Sequence, residues 1–240
     1  MTNPILLALT TSSGTAQMVA CLRSGEVVFS FSIVDYAAQS EQLLPQLQSE
    51  LFRHGVGADQ VVGFAVDIGP GGFTSLRTAC GIAQGLALAW SIPCFPISSF
   101  ECLFEEALAQ QVSLTGAGLI LLDARLNQLY AQTGASDANT WKASSTFLLN
   151  ADEQSVLVAI HQANWCLVSP AVGALVQQWA KPPTLIQHAQ ICAVHLAKLA
   201  WVRYDAGQHQ LPIECQPLYV REKVADTTAE RLAKKHNEQD

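Results

Sequence analysis

Short apolar runs alternate with amphipathic stretches along the first half of the chain, and this alternation predicts an α/β fold. Residues 5–9 predict a buried strand, and residues 16–22 and 26–34 predict two further strands joined by a tight turn at Ser24-Gly25. The period then changes to that of a helix over residues 43–52. We expect this helix to begin with Ser40 as its N-cap and to end before Gly55.

The next apolar run, residues 61–68, predicts a fully buried strand that leads directly into four residues rich in glycine, Gly69-Pro70-Gly71-Gly72. A helix is expected to begin near Thr74 or Ser75 and to continue to about Trp90. Residues 92–97 predict another strand, and Ser98 or Ser99 is the expected N-cap of the helix that follows.

The second half of the chain begins as a weak repeat of the first. Residues 118–123 echo residues 5–10, and a further strand is expected at 128–133, then a loop at 137–145. Helices are predicted around residues 155–163, 171–179 and 189–204. The pattern predicts an N-terminal lobe (1–110), a C-terminal lobe (111–225) with a cleft between the two, and a polar tail (226–240).

The amino-acid composition indicates in which cellular compartment the protein is expected. Half of the 240 residues are hydrophobic and 14% are charged, which is typical of a globular protein. The apolar runs fall short of the roughly 20 residues that a membrane-spanning helix needs, and no basic segment precedes the first run. The seven cysteines are scattered without a CxxC pair, which favours buried thiols in a reducing compartment. We therefore predict a cytoplasmic protein with no membrane partner.

Charge restricts the partners. The formal net charge is −7, and the one basic cluster, residues 231–235, lies in the polar tail. A protein that binds RNA tightly by itself usually presents a clustered basic face, because phosphate neutralisation supplies much of the affinity. Tight, direct binding of tRNA by this chain alone is not expected.

The segment with the most chemical information follows the strand at 61–68. Glycines at this position allow the backbone to turn sharply, and the helix start that follows offers N–H groups to an anion. The spacing fits neither the Walker P-loop nor the dinucleotide fingerprint. A phosphate contact and a plain tight turn both remain open for this signature loop, which comprises Gly69, Pro70, Gly71, Gly72, Phe73 and Thr74.

The sequence Gly-Pro-Gly-Gly-Phe-Thr-Ser-Leu-Arg at 69–77 resembles the signature of the TsaB family, GPGSFTGLR. Four further segments resemble family motifs in the same order along the chain: the helix start at 39–45, Ile92-Pro93 with Ser98-Ser99, Asp123-Ala124-Arg125 with Tyr130, and Pro217 to Arg221 with Ala225. This resemblance extends over nearly the whole chain.

The resemblance implies an actin-like (ASKHA) fold of two ribonuclease-H-like lobes, related to sugar kinases and the Hsp70 ATPase. It also implies a non-catalytic subunit that binds and activates its paralogue TsaD, in a complex with the ATPase TsaE that forms threonylcarbamoyladenosine in tRNA. The expected partners are TsaD as a heterodimer and TsaE, with a homodimer through the N-lobe helices as an alternative.

Several residues depart from the family pattern. Family members usually have Asp at the end of the first strand, where actin-like ATPases hold Mg²⁺, and this chain has Thr10. Gly72, Ser75 and Gln39 also differ from the usual residues. The histidines contain no HxxxH pair. We therefore predict no metal, no required cofactor and no catalytic residue, and leave nucleotide binding open.

The helix after the signature loop carries small residues at helical spacing on a face separate from its apolar face, which suggests close approach of another helix. This face could contact only the neighbouring helix at 43–52. The resemblance instead implies pairing of the two N-lobe helices with TsaD, and the residues predicted to line that interface are Gln42, Gln46, Thr78, Gly81 and Gly85.

Three other functions compete with this interpretation. A small actin-like kinase or ATPase is favoured by the retained glycines and opposed by Thr10. A glycoprotease-like hydrolase lacks a Ser-His-Asp order or a zinc motif that would supply a nucleophile. An interaction protein with another partner would use the same helix surface.

Overall fold

The computed structural model describes residues 3–12, 14–35, 37–137, 140–177 and 186–221. Their first half forms a five-stranded mixed sheet in the order β3-β2-β1-β4-β5. The strands β1 to β3 are antiparallel, and β4 and β5 continue parallel to β1. The strands are β1 (Ile5–Thr10), β2 (Ala16–Leu22), β3 (Val27–Ile33), β4 (Val61–Gly69) and β5 (Cys94–Ser98), and the helices are α1 (Gln39–Arg53), α2 (Phe73–Trp90) and α3 (Ser99–Ala109).

The second half forms another five-stranded sheet with the same topology, in the order β10-β9-β6-β7-β8. Strand β6 occupies the place of β1, since it pairs antiparallel with the next strand and parallel with β9. The internal repeat predicted from residues 5–10 and 118–123 is therefore confirmed. The elements are β6 (Thr115–Asp123), β7 (Gln128–Asp137), β8 (Trp141–Asn150), β9 (Trp165–Val168), β10 (Ile186–His188), α4 (Glu153–Ile160), α5 (Pro170–Val176) and α6 (Ala193–Asp205).

The hydrophobic core is arranged in layers, because successive residues of a strand point to opposite faces of its sheet. In β1, Leu7 and Leu9 pack under α1 and α2, whereas Leu6 and Ala8 pack against α3 and α6. Ile120 of β6 joins the same cluster as Leu6, so α3 and α6 lie between the two sheets. Helices α4 and α5 cover the outer face of the second sheet.

Three details of the sequence-based prediction are wrong. Helix α1 begins at Gln39, so Ser40 lies inside its first turn and is not the N-cap. Residues 141–145 belong to β8 instead of a loop; this edge strand exposes most of its side chains, so its sequence is polar although its backbone pairs with β7. Neither strand β9 nor strand β10 was predicted from the sequence.

The remaining boundaries agree with prediction to within a few residues, and Ser98 caps α3 in a box with Glu101, as expected. The lobe boundary at 110/111 stays a prediction. Helix α6 comes from the second half of the sequence yet contacts the first sheet. The tail at 226–240 and Ala225 lie outside the described residues. None of the helices that the model describes is long and apolar enough to cross a membrane.

Candidate functional site

The signature loop connects the carboxyl end of β4 to α2. Gly69 has φ +97°, a conformation that favours glycine, and a Cβ at this position would lie 2.6 Å from Cδ1 of Leu76. Gly71 is equally confined, since its Cβ would lie 2.8 Å from that of Ser12, beyond the end of β1. Glycine is therefore required at positions 69 and 71 by close packing against α2 and the turn after β1.

Helix α2 begins at Phe73 with Gly72 as its N-cap, one residue before the predicted start. No side chain of the described residues caps it. The hydroxyl of Ser75 donates instead to the carbonyl of Gly72, 2.9 Å away. An anion could approach the first-turn N–H groups, so both interpretations of the loop remain open.

A buried carboxylate lies directly beneath the loop. Asp67, the third residue from the end of β4, has no exposed surface. Its Oδ2 accepts hydrogen bonds from the hydroxyls of Thr10 (2.7 Å) and Ser12, and its Oδ1 accepts from the hydroxyl of Ser99 (2.7 Å) and the N–H of Gly69 (2.8 Å). Burial raises the pKa of Asp67, and these four hydrogen bonds lower it by less.

Sequence reasoning missed Asp67. The apolar pattern of residues 61–68 predicts a buried strand without singling out Asp67, and the family pattern points to an acid only at position 10. The structure places the hydroxyl of Thr10 on a carboxylate that the adjacent parallel strand supplies. The detectable signal was a single charged residue within an otherwise apolar strand, which is rarely buried without a specific role.

The loop also lines a cleft of about 670 Å³ between the two halves of the chain. The cleft is bordered on the opposite side by the end of β6, with Asp123 and Arg125, and by Ser169. Ser169 is 9% exposed, and its hydroxyl has no hydrogen-bond partner among the described residues. The predicted cleft is thus present, and the signature loop forms one of its walls.

The last described residues, 210–221, form a C-terminal segment that spans both halves. Gln210 bridges to Cys94 of β5, and the N–H of Leu218 donates to the carbonyl of Ile68 (2.8 Å). Arg221 then donates to the carbonyl of Ala124 (3.0 Å) beyond β6. The segment therefore closes one side of the cleft next to the signature loop.

The predicted interface residues lie on the outer layer of the first sheet. Gln42 and Gln46 are exposed on α1, and Thr78 is half-buried on α2, where its hydroxyl donates to the carbonyl of Thr74. Gly81 and Gly85 are exposed, and a Cβ built on either would meet no atom within 4 Å. Helix α1 therefore does not cover the two glycines, and the interpretation in which this face contacts only α1 does not hold for them.

More than half of the exposed apolar side chains lie on α1, α2 and the C-terminal segment. Of the fourteen large hydrophobic residues found exposed in the described part of the chain, two lie on α1, two on α2 and four on the C-terminal segment. The most exposed on each element are Phe52 (90%), Leu88 (74%) and Ile213 (73%). At the start of α2, Arg77 stacks on Phe73, 3.8 Å from the ring centre, and donates to the hydroxyl of Tyr219.

The described residues form no evident metal-binding cluster. Within the described ranges, no group of three or more His, Cys, Asp or Glu side chains is arranged to hold an ion. His188 ends β10 and His195 lies in α6, where it pairs with Glu106, so the two histidines lie on different elements. All seven cysteines are free, and only Cys192 is not buried.

Comparison with known proteins places this architecture in a family. A model of the TsaD family, described as tRNA N6-adenosine threonylcarbamoyltransferase, matches residues 36–146. The tRNA threonylcarbamoyladenosine biosynthesis protein TsaB of Haemophilus influenzae is 29% identical, with 93% of this chain and 96% of that protein covered. The TsaB of Escherichia coli is 27% identical, with 97% and 95% covered.

These curated relatives, which match over more than nine tenths of the chain, support the TsaB family for it. A solved structure from Pseudomonas aeruginosa, described as an uncharacterized protein with similarity to peptidase YEAZ, superposes with a TM-score of 0.73 at 24% identity and covers 91% of this chain and 100% of its own. The polyphosphate/ATP-glucomannokinase of an Arthrobacter strain superposes with a TM-score of 0.53 at 11% identity, covering 85% and 100%. These likenesses confirm the actin-like fold of this chain.

Proposed function

We propose that this chain takes part in forming threonylcarbamoyladenosine in tRNA as a non-catalytic subunit that binds TsaD and activates it. The family supports the pathway, since its curated members are named for this biosynthesis. The outer face of α1 and α2 supports the mode of action, because it has the composition of a surface that another helix would cover.

The observation that carries the proposal is the pair of glycines on α2. A glycine inside a helix costs about 1 kcal/mol relative to alanine. Gly81 and Gly85 have no reason within the described structure to be glycine, since neither has a positive φ and neither would meet an atom within 4 Å of an added Cβ. Close approach of a partner helix would supply the reason.

Exposed apolar side chains on the same two helices support a protein partner. Leu88 on α2 and Phe52 on α1 are largely exposed, and such apolar side chains cluster on monomers mainly where a partner covers them. The chain carries a net charge of −7, which does not suit the phosphate backbone of tRNA. A partner protein that presents apolar helices, with TsaE joining the complex, accounts for both features.

The environment of Asp67 supports a non-catalytic role. Asp67, the acid nearest the loop, has both oxygens engaged by four donors and has no exposed surface. The carboxylate therefore does not face the cleft, where a base or a ligand for hydrated Mg²⁺ would have to lie.

A binding measurement with purified TsaD from the same organism tests the proposal. The variant Gly81→Arg places a long charged side chain on the exposed face of α2, where an added Cβ meets no atom within 4 Å. We expect the affinity for TsaD to fall at least about 30-fold, as for a hot-spot position.

Val202→Arg is the matched control. Val202 is 68% exposed on α6, which packs on the opposite face of the first sheet. It should leave the affinity unchanged. Equal affinity of wild type and Gly81→Arg would remove the α2 face from the interface. Loss of a stable homodimer in Gly81→Arg, with TsaD binding intact, would assign the face to self-association.

Nucleotide binding is the alternative function, and the cleft favours it, since the signature loop and the start of α2 line a space of about 670 Å³. Thermal unfolding with millimolar ATP, with and without Mg²⁺, distinguishes the two functions. A rise in Tm that requires Mg²⁺ would support a kinase-type or ATPase-type site, whereas the activating-subunit function requires no such rise.

A further inference from the structure

Asp67 is an acid in the interior of the first sheet without a cationic partner. Among the described residues, no Lys, Arg or His forms an ion pair with it. Burying an unpaired carboxylate is costly, and such a group is tolerated only where hydrogen-bond donors surround it. The position therefore needs an explanation in terms of what the carboxylate holds in place.

The four donors of Asp67 come from three separate parts of the chain. Thr10 ends β1 and Ser12 lies in the turn after it. Gly69 lies in the signature loop, and Ser99 is the first residue of α3. The start of α3 carries the positive end of its helix dipole, which favours a negative charge there. One side chain thus joins the two parallel strands and the beginning of a helix.

The same contacts reach both ends of the loop turn. At its beginning, Asp67 holds the N–H of Gly69, whose Cα lies against the buried side chain of Leu76 in the first turn of α2. Further along, Asp67 holds the hydroxyl of Ser12, and Ser12 is packed against Gly71. The positions of Gly69 and Gly71 relative to β1 therefore depend on a single carboxylate.

We propose that Asp67 is the positioning residue of the signature loop, and that it fixes the start of α2 and so the orientation of the face that carries Gly81 and Gly85. The effect on partner binding rests on the proposed function, because only a partner at that face would sense the orientation. The effect on the loop does not depend on any partner.

Asp67→Ala and Asp67→Asn separate positioning from simple loss of an acid. Alanine removes all four hydrogen bonds. Asparagine keeps an oxygen for the N–H of Gly69 and the hydroxyl of Ser99, and its amide can donate to Thr10 and Ser12, whose hydroxyls accept as well as donate. Positioning by hydrogen bonds therefore predicts a large effect for alanine and rescue by asparagine.

The measurement is hydrogen–deuterium exchange of peptides that cover residues 69–76, made on the full chain without a partner. We expect exchange to be about tenfold faster in Asp67→Ala and within about twofold of wild type in Asp67→Asn. Asp152→Ala is the matched control, because Asp152 also accepts a backbone N–H and a serine hydroxyl, at the exposed start of α4. It should leave residues 69–76 unchanged.

If Asp67→Ala fails to fold, Thr10→Val and Ser99→Ala replace it, each removing one hydrogen bond, with an expected acceleration of about threefold to tenfold. Unchanged exchange in these variants, or equal acceleration in Asp67→Asn and Asp67→Ala, would overturn the positioning role.

Affinity for TsaD is measured on the same proteins. Wild type that does not bind TsaD refutes the proposed function, while the exchange result still decides the role of Asp67.

Discussion

At the scale of single residues, the burial of Asp67 has a measurable effect on stability. Removal from water raises the pKa of its carboxyl group, and the hydrogen bonds from Ser12, Thr10, Ser99 and Gly69 offset the rise only in part. The nearby Cys102 thiol is itself buried, and its pKa is raised as well. No cation in the described surroundings favours the ionised form.

The sign of the resulting pH dependence follows from linkage. Because the folded pKa lies above the unfolded value of about 4, the folded state binds the proton more tightly. The contribution of Asp67 to the free energy of unfolding is therefore greatest below about pH 4 and decreases as the pH rises through the folded pKa. Asp67→Asn has no such titration, so the stability of wild type relative to this variant should fall between pH 4 and pH 7.

Urea unfolding of both proteins at pH 4.5, 5.5 and 7 measures this difference. The diagnostic quantity is the change of this stability difference with pH, because the altered hydrogen bonds of the asparagine amide shift the difference equally at all three pH values. A difference that stays constant, or that moves in favour of wild type toward pH 7, would mean that the carboxyl group is not held with a raised pKa.

The sequence alone predicted a sharp turn at the glycines of the signature loop. The structure adds that Gly69 and Gly71 are closely packed, which the sequence did not predict. The sequence also did not identify Asp67, because its significance depends on three donors that are far from it in sequence: Thr10, Ser12 and Ser99. Gln39 is similar. It departs from the family pattern, yet its buried amide donates to the carbonyls of Gly14 and Ile33.

At the scale of elements, α2 combines two requirements that conflict. Its inner face packs on the first sheet through Leu76, Ala79 and Ala83, whereas its outer face carries two glycines that weaken the helix. A helix that served only the fold would gain from alanine at these positions, since alanine has the higher helix propensity.

Gly81→Ala and Gly85→Ala should therefore each stabilise the free protein by about 0.5–1 kcal/mol, and chemical denaturation measures this gain. The same substitutions should weaken binding to TsaD severalfold, because a methyl group separates closely packed helices. A gain in stability with no loss of affinity would mean that the glycines do not serve an interface.

Elements with a strong hydrophobic period were predictable, and elements that depend on pairing were not. Helix α2 and strand β4 follow from their own sequences to within one residue of their starts. Strand β8 is an exposed edge whose strand character comes from hydrogen bonds to β7, so its sequence resembles a loop. Strand β9 has only four residues, too few for a clear period.

At the scale of the whole molecule, two sheets of equal topology enclose α3 and α6, and this arrangement separates two surfaces. The cleft lies between the halves, bordered by the signature loop and the end of β6. The face of α1 and α2 lies on the outside of the first sheet. A partner bound at that face would leave the cleft open. The signature loop lines the cleft and leads directly into α2, so it connects the two surfaces.

The central claim is that this chain activates TsaD through the outer face of α2. The most direct test is formation of threonylcarbamoyladenosine in tRNA by purified TsaD and TsaE, supplied with the threonylcarbamoyl donor, with and without this chain. We predict product only when the wild-type chain or Val202→Arg is present, and loss of product with Gly81→Arg. Full activity without the chain, or with Gly81→Arg, would contradict the account.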